Sequence, residues 1–348
     1  MASLADAPAS VDGAPPPTFT PRPSWISRLL QVKPGADRPT RAADDFHPAY
    51  PHGALVYVGG RNDERGDRAA AATADAKATG LDAGAAATPA PDGVWTVRGT
   101  FVAGGPLQIS RTMTVIRSAG RLTILNAMRL NEAGETALAA LGPVACVVRL
   151  GGWHGVDDEY YRRTHGAALY ALGGMRLAAG AAPAEVNLVP TAPAGVDAVD
   201  AAGDGDGDGA APPAVPVRGA GVALLPTPYP EAVMYVPHLG PPGGLLLMAD
   251  TLVHLPISSP PPYLNWLSGA INRWVIASTA PLRVAPLWLR AQVDGGVDGT
   301  ALRAAYGRLG GWGAGGVITA HGDAWTPEGG VAAVAAAVAE AVAAALPA

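Results

Sequence analysis

The stretch from Val144 to Leu150 constrains the fold most, because it is built on the apolar run Val144-Ala145-Cys146-Val147-Val148. A short, β-branched, unalternating run of this kind reads as a strand covered on both faces of a sheet, which requires helices close by in the chain. The flanking sequence supplies them. Asn131 is a candidate N-cap for a helix from Glu132 to Leu141, with Leu138 and Leu141 on one face and Gly142-Pro143 as the stop. Downstream come the loop Gly151-Gly152-Trp153-His154-Gly155-Val156, a short helix from Asp157 to Arg163, and a strand at Ala168-Leu169-Tyr170-Ala171. Upstream, Val94-Trp95-Thr96-Val97 and Met113-Thr114-Val115-Ile116 have strand composition. The short loop Ser118-Ala119-Gly120 joins the second of these to Arg121-Leu122-Thr123-Ile124-Leu125 as a hairpin. The resulting order of strands and helices predicts an α/β domain.

Toward the C-terminus, strands are expected at Ala232–Val236 and Leu245–Ala249, joined by the turn His238-Leu239-Gly240-Pro241-Pro242. Leu264, Leu267, Ile271 and Trp274 sit at helical spacing within 263–275. A further helix is expected from Thr300, read as its N-cap, to Gly310-Gly311, followed by a short buried strand at Gly316-Val317-Ile318-Thr319. Other parts lack the pattern of a packed core. Residues 1–45 read as a disordered Pro/Ala-rich tail, with one short amphipathic hint at Trp25–Leu30. Segments 69–91 and 190–217 read as low-complexity inserts in a single domain spanning 46–348, and Ala54–Val58 as a strand or peripheral hairpin arm. The repeat Asp204-Gly205-Asp206-Gly207-Asp208-Gly209 lacks the Glu that closes a calcium loop at its twelfth position, where Val215 stands instead. It reads as a solvated acidic linker.

Composition excludes several function classes. With 24 Lys+Arg residues, scattered, and a net charge of -5, a nucleic-acid partner is not expected, since phosphate neutralisation dominates that affinity. The single cysteine, Cys146, rules out an intrachain disulfide and a four-cysteine zinc site, and its apolar setting suits a buried inert thiol. The most apolar stretch, Val331–Leu346, is broken by Glu340, so no membrane span is expected. Asp6 and Asp12 precede any apolar core, unlike a secretory signal. A cytoplasmic location is the expectation, with Arg22 and Arg28 leaving an organelle transit peptide open. Nucleotide-binding glycine loops and Gly-x-Ser-x-Gly have no match at a strand–helix junction.

Three places carry metal-ligand residue types at the expected ends of strands: Trp153-His154-Gly155-Val156-Asp157-Asp158, Met248-Ala249-Asp250-Thr251, and Thr319-Ala320-His321-Gly322-Asp323. In element order and local motif, from Val94 to the C-terminus, the chain resembles the metallo-β-lactamase-fold superfamily, as a divergent branch with a degenerate metal-binding loop. That resemblance implies a four-layer αβ/βα sandwich. It places His154 on the first His of a His-x-His-x-Asp-His loop, with Val156 where the second His would stand, Asp158 on the Asp and Glu159 in place of the last His. It places Asp250 on the bridging Asp and His321 on the terminal His, and leaves the family's other His unmatched, His238 being a poor candidate.

The implied ligand set is reduced. His154, Asp250 and His321 suffice for one zinc, iron or manganese ion with Asp158 orienting water, whereas a second ion lacks ligands. Two functions follow: a metal-dependent hydrolase of an unspecified small molecule, or a non-catalytic protein that binds a small molecule or protein partner in the remnant cleft and holds no metal. Convergence of His154, Asp250 and His321 on one point separates the two. The bland alternatives are that Asp157 or Asp158 caps the following helix and that His321 hydrogen-bonds in its turn. His165 reads as the basic end of a helix and His254 as a surface residue, while His47 and His52 lie in a Pro-rich loop. Oligomeric state is not encoded in any feature of this kind.

Overall fold

The structure, a computed structural model, describes residues 52–60, 90–104, 107–175, 177, 182–194, 215–256, 264–273 and 278–346. The expected N-terminal tail, the segment 69–89, the Asp-Gly repeat, His47 and Trp274 lie outside the described residues.

A seven-stranded sheet takes its strands in chain order: β1 (Val56–Gly60), β2 (Gly93–Gly104), β3 (Leu107–Ser118), β4 (Arg121–Leu125), β5 (Val144–Arg149), β6 (Ala168–Ala171) and β7 (Val186–Asn187). Neighbours from β1 to β4 are antiparallel, and from β4 to β7 parallel. The parallel half is made by crossovers through α1 (Glu132–Leu141) and α2 (Asp158–His165). A second sheet of four strands has the order β13 (Gly316–Ile318), β10 (Leu245–Leu247), β9 (Ala232–Val236), β8 (Gly221–Leu224). The short helix α3 (Trp266–Ile271) packs on β3 of the first sheet, where Gln108 N donates to Ser268 Oγ at 2.7 Å. The ribbon β11 (Leu252–Val253) with β12 (Arg283–Val284) and helices α4 (Pro286–Asp294), α5 (Gly299–Gly310) and α6 (Gly330–Ala345) accompany the second sheet.

The period of two along the strands sorts side chains into three cores. In β9 and β10, Met234, Val236, Leu245 and Leu247 face inward, where they meet Ile116, Leu125, Cys146 and Val148 of the first sheet. Val233, Tyr235 and Leu246 face the other way, onto Trp288 of α4, Leu302 and Tyr306 of α5, and Val334 and Val338 of α6. On the far side of the first sheet, Met113, Ile124 and Val147 meet Leu138 of α1 and Tyr161 of α2. The layers therefore run helix, sheet, sheet, helix, the αβ/βα order expected. Val147 and Val148 are both fully buried, on opposite faces, as the continuous apolar run required.

Local chemistry explains the boundaries. The Asn131 side chain accepts from Gly134 N at 2.8 Å and opens α1 at the expected residue. Gly142 closes it at φ +138, where a Cβ would stand 2.7 Å from the Gly120 carbonyl oxygen. For α5 the expectation was wrong. Asp298, not Thr300, is the cap, accepting from Thr300 N at 2.8 Å and Ala301 N at 3.1 Å. The carboxylate of the earlier residue reaches both orphan donors. The flanks of the second expected insert also belong to the packed body, because Val215 and Val217 are buried between the sheets.

Candidate metal centre

Asp250 and His321 meet because β10 and β13 are parallel neighbours. Leu247 pairs with Ile318, and the ladder runs on through Met248 N to Ile318 O and Ala320 N to Ala249 O. The same register carried three residues further sets Asp250 against His321. His321 Nε2 and Asp250 Oδ1 lie 2.9 Å apart in a hydrogen bond, and His321 Nδ1 lies 2.5 Å from the carbonyl oxygen of Ser110 on β3. One ring nitrogen on a carbonyl and the other on a carboxylate fixes the ring.

His154 arrives from the other sheet, on the loop that follows β5. Its Nε2 stands 3.1 Å from Asp250 Oδ2, and the rings of His154 and His321 lie 5.5 Å apart, centroid to centroid. One potential ligand atom from each of His154, Asp250 and His321 lies within 4.8 Å of the other two. His154 Nε2 and Asp250 Oδ2, although close, are not aligned as donor and acceptor, and both are buried without a hydrogen-bond partner. An imidazole nitrogen and a carboxylate oxygen buried 3.1 Å apart, with neither in a well-aligned hydrogen bond, are suited to a shared cation. Two imidazole nitrogens and a carboxylate suit zinc, iron or manganese, whose bonds to such ligands are about 2.0–2.2 Å. The residues fit the group.

Burial works to raise the Asp250 carboxyl, but the imidazoles of His154 and His321 outweigh it and hold the carboxyl well below the usual range. For His321 burial lowers and Asp250 raises, and the net direction is up. Asp250 therefore stays ionised at neutral pH.

The other expected residues go elsewhere. Among the described residues Asp158 is not in the convergent group. Its carboxylate is buried 3.9 Å from Arg149 Nε, and burial raises it against the lowering effect of Arg149. Asp157 stands at the N-cap position of α2 but makes no side-chain cap. Its carboxylate accepts from Arg111 Nη1 at 2.8 Å and from Arg129 N at 3.2 Å. His165 closes α2 and pairs with Glu135 at 3.3 Å. His254 is half-buried rather than at the surface, 2.5 Å from the Pro281 oxygen through Nδ1. His52 is outside the convergent group and accepts from Asn131 N at 2.8 Å, and His238 is buried in the β9–β10 turn.

Sequence reading missed two residues. Arg149 ends the apolar strand β5, fully buried, and donates through Nη2 to the carbonyl of His154. Glu231 opens the wholly buried strand β9 and accepts from Asp250 N at 2.7 Å, Thr251 N at 2.8 Å and Trp288 Nε1 at 2.9 Å. A charge at the edge of each apolar run was the available signal.

No protein-family model matches the chain, and no curated protein matches it. Among solved structures it is similar to a metallo-β-lactamase from Erythrobacter litoralis, at 10% identity over 72% of this chain and 88% of that one, with TM-score 0.37. It is also similar to a metallo-β-lactamase from Pontibacter korlensis, at 12% identity over 75% and 97%, TM-score 0.38. The DIM-1 metallo-β-lactamase gives 11% identity over 72% and 94%, TM-score 0.39. Packing and register define the class from this chain's own atoms: a two-sheet α/β sandwich with a His-Asp-His centre where the sheets meet.

Proposed function

We propose that the protein is a metal-dependent hydrolase of the metallo-β-lactamase type with a reduced ligand set, in which His154, Asp250 and His321 hold one zinc, iron or manganese ion. The observation that carries this reading is the convergence of His154, Asp250 and His321 ligand atoms within 4.8 Å, with His154 Nε2 and Asp250 Oδ2 buried 3.1 Å apart and neither in a well-aligned hydrogen bond. Such an ion, when bound, supplies a hydroxide near neutral pH and polarises the bond to be cleaved. The chain's own residues do the rest. His321 is held by the Ser110 carbonyl so that Nε2 faces the centre, and Asp250 brings a carboxylate ionised at neutral pH as the anionic ligand between the two imidazoles. Asp158, tied to Arg149, serves in this reading as support for the loop that carries His154 rather than as the group that orients water.

Elemental analysis of the purified protein beside His321→Ala tests the proposal. Near-stoichiometric zinc, iron or manganese that falls at least tenfold in the variant is expected, followed by a screen of ester, thioester and phosphodiester substrates. Absence of metal after reconstitution overturns it in favour of a binding protein.

A further inference from the structure

Glu231 is attached to both of the segments that carry the ligands from different parts of the chain. Its backbone belongs to the loop side. Glu231 forms an antiparallel bridge with Gly151, its neighbour Ala232 donates to the Leu150 oxygen at 2.8 Å, and Gly152 N donates to the Pro230 oxygen at 3.0 Å. These bonds fasten the start of β9 to the root of the His154 loop. Its side chain belongs to the strand-end side. Oε1 alone accepts the consecutive amides of Asp250 and Thr251, while Oε2 accepts the Trp288 indole. Two amides directed at one carboxylate oxygen define the orientation of the peptide between Ala249 and Asp250, and with it the direction in which the Asp250 side chain leaves the backbone. The space between these partners is closed. A Cβ on Gly151 would lie 2.7 Å from Ala249 Cβ and 3.3 Å from both Glu231 Oε2 and His154 Cδ2.

We infer that Glu231 is a positioning residue that holds the Asp250 turn and the His154 loop in register with one another across the junction of the two sheets. This rests on the metal-centre reading for its consequence, though the positioning itself does not need an ion. The hydrogen bonds of Glu231 go to the amides of Asp250 and Thr251 and to the Trp288 indole, so it holds Asp250 through the backbone of that residue. Burial and the Asp250 carboxylate push its own carboxyl well above the usual range. Carboxylates that orient ligands in this way typically contribute 10–100-fold to metal affinity.

The test compares Glu231→Ala, Glu231→Asp and Glu231→Gln with the unaltered protein by two readouts. Amide hydrogen exchange at Asp250 and Thr251 reports the clamp without metal. Zinc(II) affinity by chelator competition, with the cobalt(II) absorption spectrum for ligand geometry, reports its consequence. Glu231→Ala is expected to accelerate exchange at those two amides by about tenfold or more while Val147 and Leu246 stay protected, and to weaken zinc about 10–100-fold. Glu231→Asp, which keeps the carboxyl group but shortens the reach, should act in the same direction. Glu231→Gln, which keeps the reach and an accepting oxygen, should restore exchange and affinity to within a few-fold.

If Glu231→Ala unfolds the chain, the Asp and Gln variants decide. An Asp variant that behaves like the unaltered protein beside a Gln variant that loses the clamp assigns the effect to charge and overturns the inference. Unchanged exchange and unchanged zinc affinity in all variants overturn it too. A protein that binds no zinc or cobalt at all removes the metal-centre reading, and the exchange data then decide the positioning role alone.

Discussion

Two of the converging side chains are brought together by the pairing of parallel strands, and the third by a loop that the ladder holds only at its root. Asp250 and His321 stand at equivalent heights on two parallel strands whose pairing is set by six buried residues, Leu245, Leu246 and Leu247 against Gly316, Val317 and Ile318. A slip of one residue would turn every one of these to the wrong face. His154 has no such ladder. Its loop is kept by Arg149 donating to the His154 carbonyl, with Asp158 opposite the guanidinium, and by the Gly151 bridge to Glu231. The difference is in what failure costs. A ladder tolerates the loss of any single hydrogen bond, whereas a loop held by a few buried charged groups loses much with any one of them.

The largest effect expected from this contrast is that of Arg149→Met. It leaves Asp158 buried with only Arg111 and His154 to offset its charge and should destabilise the protein by about 3–5 kcal/mol in denaturant titration, while the double change with Asp158→Leu recovers most of the loss. Equal loss in the single and double variants would break the comparison, because the clamp would then not be electrostatic.

The shared interior beneath both regions gives an intermediate reference. Burial, opposed by the Thr123 hydroxyl and Arg121, pushes the Cys146 thiol from 9.0 to about 11. Because the folded value is the higher one, this stabilising contribution is complete below about pH 9 and is lost as pH rises through about 11. Its size, two pKa units, is about 2–3 kcal/mol. Iodoacetamide at pH 8 should label the native thiol about 100-fold more slowly than the unfolded one, by thiolate fraction alone. Equal labelling rates would place Cys146 outside the closed core.

The smallest effect belongs to the ladder side. Thr319 Oγ1 donates to the His321 oxygen at 2.6 Å. Thr319→Val should cost only about 1 kcal/mol and leave zinc affinity within a few-fold, since the strand pairing still places His321. A large fall in affinity would show that the His321 strand end depends on side-chain clamps as the Asp250 turn does.

The same division governs how much could be read from the sequence. Asn131 as cap and Gly142-Pro143 as stop delimit α1 to the residue, and β4, β6 and β9 match their apolar runs, because those signals are local. His154, Asp250 and His321 were legible as chemistry-bearing residues just beyond expected strands. Their partners were not. Glu231 acts 19 and 57 residues away, on Asp250 and Trp288. Asp157 receives Arg111 from 46 residues back, so the capping reading of its neighbourhood failed against a tertiary ion pair. Helix α4 carried a readable sign in Pro286 at its first turn that went unused, and β8 is too short a run to stand out beside Gly221.

The place of β13 has a consequence for how the molecule is made. The first sheet adds its strands in chain order, each beside the one before it, but β13 enters the second sheet next to β10, 71 positions upstream at the paired residues. Contacts of such long range form late, after the loop between them has closed. Asp250 and His154 are in place earlier in the chain, yet the centre acquires His321 only when that last strand docks. On the metal-centre reading proposed above, competence to capture an ion is a readout of completed folding, and a chain halted before β13 pairs presents an acidic turn and a lone imidazole in place of the His-Asp-His cluster.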